Sequence, residues 1–158
     1  MRLYIKQKVF SWSDEFTVKD EQGNDKYYVK GELFSFGHKL HVYDTNHREV
    51  AYIAQKVFAW MPQFLITING QEVGRLVKKM TFFKPSYYIE GSDLELEGDF
   101  FEYDYTLSAH GKSIMKLSKE WFTWGDSYVL DINNPQDELL SLCIVLAIDC
   151  EKCSRNNN

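Results

Sequence analysis

A segment of strand, turn and strand recurs four times along this chain, and it restricts the fold more than any other feature of the sequence. The turns of the four copies fall at Gly23, His47, Gly70 and Gly111. The clearest match joins HREVAYIAQKVFAWMPQFLI, which starts at His47, to GQEVGRLVKKMTFFKPSYYI, which starts at Gly70. Such a period is typical of a unit that buries its apolar face only by stacking against its copies. The repeat therefore predicts one β-rich domain.

Period-two or short apolar runs, each ended by turn residues, predict about twelve strands between Leu3 and Asp131. The turn signals EQGN, DTNH, NGQE, EGSD and AHGK favour antiparallel hairpins. An open sheet of this size leaves two exposed edges, and closure into a barrel removes both. We therefore predict a mainly β fold, a closed antiparallel barrel of about twelve strands.

The end of the chain changes from strand to helix. Asn133 or Asn134 suits an N-cap and Pro135 suits the first helical position. The run LLSLCIVLAI, from Leu139 to Ile148, is apolar on every face, which is typical of a helix buried in a core or in lipid. It is too short to span a bilayer, which takes about 20 residues. We expect this hydrophobic C-terminal helix to lie inside the barrel.

Composition sets the outer limits of the function. A length of 158 residues without a linker predicts a single domain over residues 1–153, followed by a disordered polar tail at 154–158. A net charge of −5 argues against general nucleic-acid binding. The charged, alternating N-terminus lacks the apolar stretch of a secretory signal, and an odd number of cysteines argues against a disulfide framework. These features favour a cytoplasmic protein.

Motifs for catalysis or metal binding are weak. Cys150 and Cys153 form a CxxC pair, but nothing in the sequence completes a four-ligand zinc site, and solvent-facing thiols at a helix end are the favoured interpretation. His38 and His41 fall on opposite faces of a strand. The alternating carboxylates between Asp93 and Asp104 fit a solvated strand face better than a calcium site, since the EF-hand spacing is absent. The sequence predicts no catalytic residue, no metal site and no cofactor.

The repeat also assigns the two faces of the strands. The predicted inward face carries, copy by copy, Ala51, Ile53 and Val57, then Gly74, Leu76 and Met80, then Met115, Leu117 and Trp121. Gln55, Lys78 and Lys119 share the inward parity but are polar. The favoured interpretation is that these three side chains reach water at one barrel rim, because unpaired buried charge is costly. The alternative is a polar ring at one mouth that pairs with helix carboxylates or a ligand.

A basic cluster stands out on this acidic chain: Arg75, Lys78, Lys79 and Lys84, interleaved with Met80, Phe82 and Phe83. Cations beside exposed aromatic residues suit an anionic membrane surface. The competing interpretation, which the sequence favours, is that Phe82 and Phe83 belong to the core and the lysines only solvate a strand.

The matched repeats, the insertion IEGSDLELEGDFFEY and the apolar terminal helix resemble the LURP-one-related family. That family is similar to the tubby C-terminal domain and the phospholipid scramblases. The resemblance implies a twelve-stranded barrel around a hydrophobic C-terminal helix, and no defined activity. We expect a non-enzymatic binding or scaffold module that associates with anionic membrane lipid. The alternative is a lipid-handling or small-molecule enzyme with a pocket at the barrel mouth, and a cavity with convergent polar groups would distinguish the two.

Overall fold

The computed structural model describes residues 1–6, 15–32, 36–122 and 125–156. Within the described residues the chain forms the twelve strands that the sequence predicts, and one helix follows them. The strands are β1 Arg2–Lys6, β2 Glu15–Lys19, β3 Asp25–Gly31, β4 Lys39–Tyr43, β5 Glu49–Gln55, β6 Gln63–Ile68, β7 Gln71–Lys78, β8 Tyr87–Glu90, β9 Leu94–Asp99, β10 Asp104–Ala109, β11 Lys112–Phe122 and β12 Gly125–Ile132. A 3-10 turn at Pro135–Asp137 leads into the helix α1, Glu138–Asn156.

The strands form one antiparallel sheet of 12 strands that curls into a nearly closed barrel. Each strand pairs with its neighbour in sequence, except that β1 pairs with β12 and that β8 and β9 are the two ends of the sheet. The predicted mainly β fold is confirmed. The predicted closure of the barrel is incomplete, because the two end strands, β8 and β9, face each other without forming a ladder of backbone hydrogen bonds.

The tight turns lie at one end of the barrel. Asn69 and Gly70 both have positive φ, at 49° and 77°, and His110 and Gly111 repeat the pattern at 50° and 74°. Two successive positive φ values are what a type I′ hairpin turn requires, and its twist matches the twist of the paired strands. The turns of the repeat are therefore polar and short, and they leave little apolar surface at this end.

The predicted inward face is correct within the strands and wrong beyond them. Ala51, Ile53, Leu76, Met115 and Leu117 are all buried, as period two requires. By contrast, Val57 is 41% exposed and Met80 is 73% exposed. Since β5 ends at Gln55 and β7 ends at Lys78, strand parity no longer orients these two side chains. Trp121's side chain lies outside the described part.

The helix α1 fills the barrel, as predicted. Every residue from Ser141 to Ile148 is fully buried. None of the helices in the described chain combines the length and the apolar character needed to cross a membrane. The helix continues through Asn156, so the predicted disorder of residues 154–158 is wrong for 154–156. The cause is that Glu151 and Lys152 bond to the barrel wall and hold the last turns in place.

Similar contacts hold both ends of the helix. At its N-terminus the buried Glu138 accepts a hydrogen bond from the Tyr27 hydroxyl at 2.6 Å and pairs with Lys26 Nζ at 2.7 Å. At its other end the buried Glu151 accepts a bond from the Tyr87 hydroxyl, and its Oε1 lies 2.9 Å from Lys78 Nζ. Each carboxylate is thus paired and hydrogen-bonded, as a buried charge requires.

Candidate functional site

The loops around the C-terminal end of α1 carry an unusual number of exposed apolar side chains. These are the β3–β4, β5–β6, β7–β8 and β9–β10 loops. We call the set the apolar rim: Phe36 (77% exposed), Val57 (41%), Phe58 (93%), Trp60 (89%), Met80 (73%), Phe82 (99%), Phe83 (99%) and Phe101 (65%). Exposed apolar side chains gathered on neighbouring loops mark an interaction site more often than single scattered ones do.

Neighbouring loops of the apolar rim are in contact. Gly37 packs so closely on the β5–β6 loop that a Cβ there would lie 2.9 Å from Val57 Cγ2. The Lys78 amide donates to the Pro62 carbonyl at 3.0 Å, which joins the β5–β6 and β7–β8 loops. Lys84 Nζ reaches Asp99 Oδ2 at 2.7 Å, beside the β9–β10 loop. The exposed side chains therefore share one continuous end of the barrel.

The interpretation of Phe82 and Phe83 as core residues is wrong, because each is 99% exposed. Sequence reasoning also missed Phe36, Phe58 and Trp60. A signal was present: Pro62 and Pro85 follow the aromatic residues at matched repeat positions, and proline is poorly tolerated inside a central strand. The aromatic residues before each proline therefore belong to a connection between strands.

The structure divides the predicted lipid-binding cluster. Lys79 is exposed at the apolar rim, and so is Lys56 on the adjoining loop. Lys84 is 76% exposed and makes an ion pair with Asp99, of the surface kind that contributes little. Arg75 lies on the barrel wall, where its guanidinium is 3.2 Å from Glu90 and 3.6 Å from Glu72.

The Lys78 ammonium likewise forms an ion pair, with the buried Glu151 carboxylate at the end of α1. The other two polar residues of inward parity, Gln55 and Lys119, lie toward the same end of the barrel as Lys78. Gln55 accepts a hydrogen bond from the His38 amide at 3.1 Å, and the Lys119 side chain is exposed. Their role as a ring that binds a ligand stays a prediction.

A second set of titratable groups lies beneath the apolar rim. Asp149 is 2% exposed, and its carboxyl oxygens face no well-aligned donor among the described residues. Burial raises the pKa of this carboxyl to about 7, although the nearby Lys152 and the Tyr103 hydroxyl oppose the shift. Burial likewise raises the pKa of the Cys150 thiol, so it is not a reactive thiolate.

The expected solvent exposure of both thiols is wrong for Cys150, which is fully buried, while Cys153 is partly buried. In the part of the chain that the structure describes, no three His, Cys, Asp or Glu side chains are grouped to hold a metal ion. The described residues form surface cavities, of which two are well defined. One, of about 540 Å³, lies on the outer face of β2–β4 near Phe16, and the other, of about 510 Å³, lies at the β8–β9 seam.

Comparison with known proteins gives consistent results. The LURP-one-related family model matches residues 1–149. The Bacillus subtilis "Uncharacterized protein YxjI" is 34% identical over 149 residues, which are 94% of this chain and 92% of that protein. The X-ray structure of the Arabidopsis thaliana protein AT5G01750 has a TM-score of 0.62 at 14% identity, covering 95% of this chain and 90% of the other. The first two comparisons concern ancestry and the third concerns the fold.

Proposed function

This chain belongs to the LURP-one-related family, and we propose that it is a non-enzymatic binding module that attaches to anionic membrane surfaces through the apolar rim. The observation that carries the proposal is the nearly complete exposure of Phe82 and Phe83 beside Lys79. Aromatic and cationic side chains on one surface suit the interface between headgroups and acyl chains.

The physical balance favours insertion of the rim loops. A large aromatic side chain buries on the order of 150 Å² when it leaves water, and apolar burial is worth about 25 cal/mol per Å². A lysine near an anionic surface adds about 1 kcal/mol, which salt screens. The aromatic residues would therefore supply most of the attachment, and Lys56, Lys79 and Lys84 would select anionic lipid.

The asymmetry of the barrel supports the same orientation. The opposite end has short polar turns such as Asn69-Gly70 and His110-Gly111, which offer nothing to an apolar phase. The helix that fills the barrel supports a binding module over an enzyme, since enzyme sites are usually enclosed clefts with convergent polar groups. Three free cysteines suit a reducing cytoplasm, where the anionic inner leaflet is available.

Vesicle sedimentation tests the proposal. We expect the wild-type chain to pellet with phosphatidylcholine vesicles that contain phosphatidylserine, and to pellet less at high salt or with phosphatidylcholine alone. The variants Phe82→Ser/Phe83→Ser and Lys56→Glu/Lys79→Glu should lose binding. Lys112→Glu, at the opposite end of the barrel, is the matched control and should bind like the wild type. Equal binding by all four proteins, or none by the wild type at low salt, would refute the membrane role.

A further inference from the structure

Asp149 is buried near the end of α1, beside Tyr103 of the β9–β10 loop. Its side chain is 2% exposed, and neither carboxyl oxygen meets a well-aligned hydrogen-bond donor among the described residues. Glu138 and Glu151 differ, since each meets a lysine and a tyrosine from the barrel wall. A buried carboxylate without such partners is costly, so Asp149 must either hold a proton or reach water.

Lys152 ties the β9–β10 loop to the helix. Its Nζ donates to the Phe100 carbonyl at 2.9 Å and to the Phe101 carbonyl at 3.3 Å, and it lies 3.2 Å from the centre of the Tyr103 ring. Lys152 also follows Asp149 by three residues, so the two side chains are neighbours on the helix surface. The ammonium group therefore has two competing partners: the loop carbonyls and, once it is ionised, the Asp149 carboxylate.

Tyr103 holds the loop in an unusual conformation. Its φ is 58°, which is uncommon for a residue other than glycine and persists only where the surroundings impose it. The surroundings here are two side chains: the ring stacks on Tyr128, with centroids 4.2 Å apart, and Lys152 lies against it. The closed position of the loop thus depends on a few contacts, and loss of the Lys152 contact would weaken it.

The titratable groups around Asp149 come from the loop, two strands and the helix. Burial raises the pKa of the Tyr103 and Tyr105 hydroxyls and of the Cys150 thiol, so these groups stay neutral near pH 7. Asp149, whose pKa is raised to about 7, therefore changes charge before they do. The nearby Glu151 is already paired with a lysine of β7. The full set around Asp149 is Tyr103, Tyr105, Tyr128, Cys150, Lys152 and Cys153.

We propose that the β9–β10 loop is a proton-controlled lid. While Asp149 holds a proton, Lys152 and Tyr103 keep the loop closed over it. When the proton is lost, the carboxylate draws Lys152 away from the loop carbonyls, and the loop opens to admit water.

The lid carries part of the apolar rim, because Phe101 on this loop is exposed. Protonation closes the lid and completes the rim, while rising pH opens the lid and adds a negative charge at the same end of the barrel. Attachment to an anionic surface should therefore be stronger below about pH 7 than above it. This consequence rests on the proposed membrane attachment, whereas the opening of the lid does not.

A ¹³C NMR titration of the Asp149 carboxyl carbon tests the lid without vesicles. Tyr103→Ala removes the ring beside Asp149 and should lower the titration midpoint by at least about one pH unit, a tenfold loss of proton affinity. Electrostatics alone predicts the opposite sign, because the Tyr103 hydroxyl itself holds the pKa of Asp149 down. Phe101→Ala, at an exposed position of the same loop, is the control and should leave the midpoint unchanged. A midpoint that stays or rises in Tyr103→Ala would overturn the proposal.

The proton chemical shift of the Lys152 ε-methylene group follows the movement itself. In the closed lid this group lies against the Tyr103 ring, and the ring current displaces its resonance. The displacement should be largely lost in the wild-type chain between pH 5.5 and pH 8.5, and it should persist in Asp149→Asn. A constant displacement in the wild type, or an equal loss in Asp149→Asn, would contradict the lid. No vesicle is present in either experiment, so failure of the lid leaves the membrane role untouched, and failure of vesicle sedimentation leaves the lid.

Discussion

At the scale of single residues, two buried glutamates decide how the helix sits in the barrel. Glu138 and Glu151 are 5% and 1% exposed, and each meets one lysine and one tyrosine from the wall. Loss of one partner of a buried pair leaves a charge without compensation, and this costs more than the pair itself contributes.

Lys78→Met is the sharper test of this pairing. We expect it to lower the free energy of unfolding by about 3 kcal/mol, because the Glu151 carboxylate would stay buried without the lysine that neutralises its charge. Lys79→Met, at the exposed neighbouring position, should change stability by less than about 0.5 kcal/mol. Urea denaturation gives both values, and equal stability of the two variants would show that the pair does not anchor the helix.

Asp149 should make stability depend on pH. Its pKa rises from 3.8 to about 7 on folding, so the folded chain binds the proton more tightly over this range. The free energy of unfolding should therefore fall as pH rises from about 4 to about 7, by up to about 1.4 kcal/mol per pH unit from this group, and this contribution should level off above.

Asp149→Asn removes that dependence. Denaturation at several pH values should give the variant a higher free energy of unfolding than the wild type at pH 8, because no charge has to be buried. Between pH 4 and pH 7 the free energy of unfolding of the variant should change less with pH than that of the wild type. The exposed Asp93→Asn serves as the control. A pH profile that is the same for the wild type and for Asp149→Asn would mean that the carboxylate is solvated in the folded protein.

At the scale of elements, the central helix is the core of the domain. Leu142 and Leu146 are both 0% exposed among strands from several sides of the barrel. Replacement of either one by Asp should unfold the chain, since a buried unpaired charge costs more than the few kcal/mol of net stability that a domain has. Gln136→Asp, at an exposed position before the helix, should leave it folded. Circular dichroism melting measures both, and a cooperative near-native melt of Leu142→Asp would contradict the central role of α1.

At the scale of the whole molecule, the two barrel ends differ in polarity, and this difference sets the expected orientation on a membrane. A polarity-sensitive dye attached at Phe58→Cys should shift its emission to the blue with phosphatidylserine vesicles, while the same dye at Asn46→Cys, in the turn between β4 and β5, should stay in water. The partly buried native thiol is removed by Cys153→Ser in both proteins. Similar shifts at the two positions would refute the orientation.

Local patterns were sufficient to predict the strands, the hairpin turns, the inward positions within strands and the buried helix. Each of these depends on residues close in sequence: period two in β5 and β7, Asn69-Gly70 at a turn, and an apolar run without a polar face from Leu139 to Ile148. Such signals act through backbone geometry and burial, so they can be recognised without knowledge of the neighbours.

The tertiary structure decided which of the possible polar pairs form and which aromatic residues are left in water. Lys78 meets Glu151 and Tyr27 meets Glu138 across more than 70 residues of sequence, because barrel closure brings strand ends to the ends of the helix. Phe82 and Phe83 have the large apolar side chains typical of core residues. The helix already occupies the barrel interior, so these two side chains remain outside. Burial depends on the space that other elements leave, and that space exists only after the whole chain has folded.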